Sequence, residues 1–409
     1  MKIIADLQIH SRHSRATSKN LSIDNLEKYG KMKGLDLMGV GDFQHPLHRK
    51  EIDEKLTEDD KGILRTSKGE VAFLWQTEIS LMYSQEEKRR AVHLLVFAPN
   101  GKVADKITAY LGSKGRLDYD GRPIFGISCR NFVKGLKEID DKIEIIPAHC
   151  MTPWFGLFGS KSGFDSLKEC FGSEVGKIYA IESGISADPE MLWRFDEVAE
   201  GKVNVVSFSD AHSFWPWRLG RECTIFEIPE LSYDNVIKSI RTGEGLSSTI
   251  ETPPSYGKYH YDGHRNCNFS SSPRETKELN GICPVCGKPL TIGVDYRVEE
   301  IAKHPLGFKP KNAKPFHSVV PLHELISFIF NTPLESKRSW DVYNNLINQF
   351  ENEFNILLNV DGNDLLNKGI DARLVDLIML NRSGKLPLKP GFDGEYGKII
   401  FVEKQKTLI

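Results

Sequence analysis

The sequence predicts an α/β protein, on three observations. Short apolar runs alternate with helical patterns over the first ~230 residues. Polar residues able to bind metal recur where those runs end. A Cys/His segment then separates this region from a helical C-terminal part.

Seven candidate strands cover 3–10, 35–41, 71–79, 91–97, 143–149, 177–183 and 203–209. Seven is close to a barrel count, and barrel enzymes carry their chemistry at the carboxyl ends of strands. The first run ends at His10, and Asp42 and His45 follow the second. Glu78 ends the third, His149 the fifth and Glu182 lies near the end of the sixth. Asp210 and His212 follow the seventh. His93 opens the fourth run instead. A tight return near 86–90 would bring it to the same rim, with strands three and four antiparallel. Alternation in ADLQIH puts Asp6, Gln8 and His10 on one face of the first strand. Imidazoles grouped with carboxylates are what zinc or manganese requires. His13 and His48 receive no role, and Asp6 is expected behind the ligands.

After the linker TPPSY, His264-x-x-Cys267 and Cys283-x-x-Cys286 form two ligand pairs. That spacing predicts a closed, structural zinc site. Three units follow: 1–248 for the metal-dependent domain, 249–310 for the zinc-binding domain and 311–409 for a helical C-terminal region. Within the last, Tyr343, Leu346, Ile347, Phe350, Phe354 and Leu357 predict a helix over 340–358, and a shorter one covers 371–381.

The 409 residues carry a net charge of −2, so any nucleic-acid binding must rest on local patches. Seven scattered and clustered cysteines are not a disulfide framework. No apolar run is long enough for a membrane span, and the N-terminus has no signal-peptide core. The expectation is a cytoplasmic protein without membrane contact.

The segments DLQIHSRHS, GDFQHP, TEIS with VHLLVF, PAHC and SDAH occur in the order of the motifs of the PHP superfamily, which the chain resembles. The resemblance implies a distorted seven-stranded barrel with up to three metal ions. It implies ligand roles for His10, Glu78, His93, His149, Asp210 and His212, with Glu78 bridging two metals. Gln8 and Phe43 depart from the usual histidines, with His45 the candidate replacement, and Ala16 stands near a position expected to supply a third-metal ligand. Zn²⁺ is implied in the knuckle and the barrel, with Mg²⁺ or Mn²⁺ as alternatives in the latter.

HCMTPWFGLFGSKSGFDSLKECFG, ESGISADPEMLWR, SDAHSFWPWRLGRE, GICPVCGKPLTIGVDYRVEE and KPGFDGEYGKIIF resemble endonuclease Q more specifically. That likeness implies cutting of DNA on the 5′ side of uracil, hypoxanthine, xanthine or an abasic site, with Glu78, His149, Asp210 and His212 catalytic. Helicases or other repair proteins are conceivable partners. Candidate DNA contacts are Trp154, Phe155, Ser160 and Lys161 in a Gly-rich loop, and Trp217, Arg218 and Arg221 beside Asp210. A phosphatase on small phosphoesters and a non-cleaving DNA-binding module with a degenerate barrel are the competing readings.

Overall fold

The computed structural model describes residues 1–400; residues 401–409, the end of the expected C-terminal unit, lie outside the described residues. The seven expected strands are present as β1 (Lys2–Asp6), β2 (Leu37–Gly39), β3 (Ala72–Gln85), β4 (Lys88–Ala98), β5 (Glu144–Pro147), β6 (Ala180–Glu182) and β7 (Asn204–Val206). β1, β2 and β3 are parallel. β4 lies antiparallel to both β3 and β5. β6 and β7 form a parallel ladder of their own. Short links continue the path: Cys150 N donates to the Glu182 carbonyl (2.9 Å), and a parallel bridge pairs Ile9 with Ala211, His10 N donating to the Ala211 carbonyl and Ala211 N to the Gln8 carbonyl (3.1 Å each).

Side-chain alternation explains how these strands share an interior. One buried apolar cluster takes Ala5, Leu37, Leu74, Leu95, Ile146, Ala180 and Val206 from β1 through β7. Neighbouring residues such as Met38, Phe73, Val96, Ile145 and Ile181 pack into a second cluster on the other side. Successive strand residues face opposite ways. Strands covered on both faces therefore read as unbroken apolar runs. Towards the carboxyl end the inner face of β3 turns polar, through Gln76 to Glu78.

Further strands that the sequence reading did not place extend the sheet. β8 (Cys223–Glu227) pairs with β1, and β9 (Leu246–Glu251) pairs with β8, both antiparallel. β10 (Phe316–Ser318) then adds to β9 in parallel. The expected boundary at 248–249 thus falls inside a strand, and 311–318 returns to the main sheet.

β9 brings Glu251 beside Glu222. Ser207 Oγ lies 3.0 Å from both carboxyls, and Ser183 Oγ donates to Glu251 (2.9 Å). Burial pushes the Glu222 carboxyl up to about 8, against the pull of Arg221. A carboxyl that keeps its proton on folding costs nothing below its ordinary value of 4.5. Stability is then lost as pH rises through the folded-state value. Glu222→Gln, which mimics the protonated form, should therefore raise the melting temperature at pH 9 and hardly change it at pH 5. Equal shifts in thermal melts at the two pH values would contradict this origin.

The C-terminal region contains α2 (Leu322–Phe330), α3 (Lys337–Phe350), α4 (Glu353–Leu358) and α5 (Ala372–Arg382), counting α1 (Ile23–Lys33) near the start of the chain. The single helix expected over 340–358 is broken, because Glu351 takes φ 72° and Asn352 caps α4. The helix expected over 371–381 is α5, capped by Asp371. Lys33, at the end of α1, is buried. Its Nζ donates to Glu353 Oε1 (2.7 Å) and to the Pro216 carbonyl (2.8 Å). Leu322 N and Tyr343 Oη also donate to Glu353 (3.0 and 2.9 Å).

Candidate metal centre

Glu78 is the hub. It does not end its strand, since β3 runs on to Gln85 and turns directly into β4. The register pairs Glu78 with Leu95 and Ser80 with His93. Glu78 and His93 are therefore diagonal neighbours on one face, within side-chain reach. Glu78 Oε1 lies 2.7 Å from His93 Nδ1 and 3.2 Å from His149 Nε2. Its other oxygen, Oε2, lies 2.8 Å from His10 Nε2 and 3.2 Å from Arg122 Nη1.

Two ligand groups thus meet at one carboxylate. Glu78, His93 and His149 converge on one side, and His10, Asp210 and His212 on the other; within each group the donor atoms lie within 4.8 Å of one another. His10 Nε2 is 3.0 Å from Asp210 Oδ1. Its Nδ1 is held by Asp42 Oδ1 (3.2 Å), and Asp42 in turn accepts from Ser11 N and Ser14 Oγ (2.6 and 2.8 Å). Thr152 Oγ1 contacts His149 Nδ1 at 2.9 Å. Partners of this kind fix a ring's orientation and leave the far nitrogen for a ligand role. Asp42, His149 and Asp210 have φ of 32°, 31° and 50°. Left-handed conformations at non-glycine residues cost ~1–3 kcal/mol each and gather at functional sites.

Charge decides what the centre can hold. Burial opposes ionisation of Asp42 and Asp210, but His10 on both, and His212 on the latter, hold their carboxyls below the ordinary range. Glu78 is held low against burial chiefly by His93 and Arg122. Burial pushes His93 down to about 4, so it is a neutral imidazole, the form that binds metal. Buried carboxylates interleaved with imidazoles, bridged by one glutamate, fit two divalent cations in chemistry and number of donors.

Comparison with known proteins places the chain. A solved lesion-specific endonuclease, PfuEndoQ from Pyrococcus furiosus, superposes with a TM-score of 0.88 at 28% identity over 99% of this chain and 96% of that one. Over nearly its whole length the chain is similar to endonuclease Q. Endonuclease Q solved with a 27-mer duplex substrate carrying an abasic lesion at the active site gives a TM-score of 0.87, also at 28% identity, with 99% and 98% covered. Residues 321–385 match the MJ0043 C-terminal domain. The uncharacterized protein MJ0043 of Methanocaldococcus jannaschii is 31% identical over 70% of this chain, but the match spans only 35% of that protein.

Several sequence expectations fall elsewhere in this chain. With its amide nitrogen turned towards Glu182, Gln8 donates to both carboxylate oxygens (2.7 and 2.9 Å). His149 N donates to the same carboxyl (2.5 Å), which burial holds well above the ordinary range. Gln8 and Glu182 thus satisfy each other and join neither convergent group. His45 stacks on His13 with ring centroids 4.4 Å apart and also joins neither. Asp42 backs His10. Asp6 accepts from Ser209 N (2.9 Å) and Gly220 N (2.8 Å), an orienting position as expected.

The candidate DNA contacts divide. Trp154 and Lys161 are exposed, whereas Phe155 is half-buried and stacks on His93 at 4.4 Å. Ser160 Oγ is buried with no hydrogen-bond partner among the described residues. Trp217 is buried, stacked on Trp215 and packed against Trp340 and His323, which removes it from any exposed surface. Arg218 sits over the Tyr396 ring, and Arg221 Nε donates to the Ser209 carbonyl (3.1 Å). Both remain half-exposed.

The knuckle residues come together: His264 Nδ1 lies 3.1 Å from Cys267 Sγ and 3.2 Å from Cys286 Sγ, and Cys283 completes the group. From the adjoining helix Val294–Ile301, Arg297 donates to the carbonyls of Phe158 (2.9 Å) and Phe164 (3.2 Å). The Cys/His segment thereby holds the loop that carries Trp154. Arg122 was not foreseen. It lies in the string DGRP, which carries no ligand spacing; only the need to balance the carboxylates of Asp42, Glu78 and Asp210 could have prompted the search.

Proposed function

We propose that this protein is a metal-dependent endodeoxyribonuclease that hydrolyses a DNA phosphodiester beside a damaged base, on a PHP-type barrel in which β6 and β7 are the loosely joined part. The observation that carries the reading is the sharing of Glu78 between the two ligand groups, in a chain alike over nearly its whole length to a lesion-specific endonuclease. His10, Asp210 and Glu78 would hold one divalent cation, and Glu78, His93 and His149 the other. Zinc, manganese or magnesium bound there would polarise the phosphodiester and activate water near neutral pH.

The chain's own residues position and shield this chemistry. Asp42 and Thr152 orient His10 and His149. His212 Nδ1 donates to the Asp210 carbonyl (2.9 Å), so Nε2 is the nitrogen left to bind metal or pass a proton. Deaminated bases and abasic sites are the lesions the family likeness favours, and extrusion costs least where pairing is already weak. Residues 311–400 with the zinc-type segment would supply further DNA surface. The test is incubation of the purified protein with labelled duplexes containing uracil, hypoxanthine, xanthine or an abasic site, with Mg²⁺, Mn²⁺ or Zn²⁺. Cleavage of none of them, with turnover of a small phosphoester, would overturn the proposal.

Two further outcomes are expected. Trp154→Ala should slow cutting of a duplex lesion by about tenfold, in line with loss of one stacking contact, and affect a single-stranded lesion less. Equal losses would mean that Trp154 only packs on Tyr259, its neighbour at 5.4 Å. Cys283→Ser should remove one zinc per chain and lower the melting temperature, because a structural zinc site is coupled to folding. Full zinc content with an unchanged melt would remove the knuckle assignment.

A further inference from the structure

Arg122 reaches the centre from a loop that is built to hold it. Arg122 N donates to Asp120 Oδ1 (3.1 Å), Gly121 N to the His13 carbonyl (3.0 Å) and Ser80 N to the Pro123 carbonyl (3.1 Å). Gln44 Nε2 donates to the Gly121 carbonyl (2.5 Å). A Cβ at Gly121 would collide with Asp42 Oδ2 and Ser14 Oγ, so only glycine lets this segment cross so close above the ligand support. The backbone is therefore fixed on both sides of Arg122, and its guanidinium is delivered to Glu78.

A guanidinium has five N–H donors in a rigid fork. Here one hydrogen bond is made, from Nη1 to Glu78 Oε2 at 3.2 Å; Nε and Nη2 donate to nothing among the described residues. The side chain is 26% exposed while Glu78 is 0% exposed, so the unused edge borders the accessible side of the centre. A role confined to neutralising Glu78 would not require a fork with spare donors at the rim.

We infer that Arg122 is a substrate-binding residue, whose free edge takes the non-bridging oxygens of the phosphodiester that is cut. The inference rests on the nuclease reading and adds a named phosphate contact to it. Planar two-point recognition of a phosphate is what arginine supplies and lysine does not. Charge-assisted contacts of this type are worth ~1.5–3 kcal/mol, or about 10- to 100-fold in affinity.

The test is a cycle of two changes on the metal-loaded full chain. Wild type, Arg122→Gln and Arg122→Lys are each mixed with an abasic-site duplex carrying either an ordinary phosphate or a neutral methylphosphonate at the 5′ side of the lesion. Affinity is read by stopped-flow anisotropy ahead of cleavage, and metal content is measured for every protein. The methylphosphonate should weaken wild-type binding about tenfold more than it weakens Arg122→Gln, with Arg122→Lys between them; the penalty common to all three is the metals' share. The same methylphosphonate penalty in wild type and Arg122→Gln would overturn the contact. Reduced metal content in Arg122→Gln with that unchanged penalty would show a role confined to Glu78. If wild type binds with the expected coupling but never nicks the ordinary duplex, the nuclease reading fails and the phosphate contact stands.

Discussion

Glu78→Gln lowers lesion cleavage by on the order of 10³-fold or more, the scale seen when a group that stabilises developing charge is removed. The expectation follows from geometry. Each carboxylate oxygen serves a different group, with His93 and His149 on Oε1 and His10 and Arg122 on Oε2. A glutamine retains the shape but puts an NH₂ in place of one oxygen, so one side loses its acceptor and neither keeps the charge that offsets a cation. Single-turnover cleavage and metal analysis should fall together, while the melting temperature of the metal-free protein changes far less than activity. Retention of both metal and cleavage would remove Glu78 from the centre of the site. Loss of cleavage with unfolding would leave only a structural role.

The second large effect lies far from the centre. Glu353→Ala should cost about 3–5 kcal/mol, because it strands the buried Lys33 ammonium without its counter-charge. Lys33 and Glu353 side chains are 1% and 0% exposed, and Glu353 also receives Leu322 N and Tyr343 Oη. Lys33→Met with Glu353→Leu should recover much of the loss, since removing both charges leaves neither one buried alone. Urea titrations of the single and double variants check this. A loss below about 1 kcal/mol in Glu353→Ala, the scale of exposed pairs, would show that water reaches the pair.

The sequence carried most of the sheet and much of the site, for identifiable reasons. β1 to β7 were legible because each is a short apolar run closed by polar residues. Glu78, His93, His149, Asp210, His212 and His10 were legible because their motifs stand at or beside those runs. β8 and β9 were not, since CTIFE and LSSTIE are short, mixed in polarity and gain their place only by pairing with β1 and with each other. Gln8 and Glu182 lie outside both convergent groups, because alternation gives a face and not a partner; each spends its polar atoms on the other. His45 follows the right strand but stacks on His13. Trp217 and Arg218 are adjacent in sequence, yet only the tertiary packing of α2 and α3 decides which is covered. Arg122 depends on a close approach at Gly121 across more than a hundred residues of separation from Ser14, which no local pattern encodes.

The aromatic loop after His149 is closed on itself before any ligand arrives. Phe158 N donates to the Cys150 carbonyl and Phe164 N to the Leu157 carbonyl (2.7 Å each), and Lys161 N to the Pro153 carbonyl (2.9 Å). Gly156, Gly159 and Gly163 lie so close to neighbouring backbone that no side chain fits at any of them. Arg297 then fastens the outside of the loop to the Cys/His segment. The entropy of ordering this segment is spent when the chain folds, so little remains to be lost on association. A surface prepared in this way does not mould itself to what it meets. The deformation needed for a fit falls on the incoming polymer, and a polymer already weakened at one position yields most readily. Selectivity can then reside in the stiffness of the protein and the compliance of its partner, with amide exchange in 150–164 as slow as in the strands beneath it.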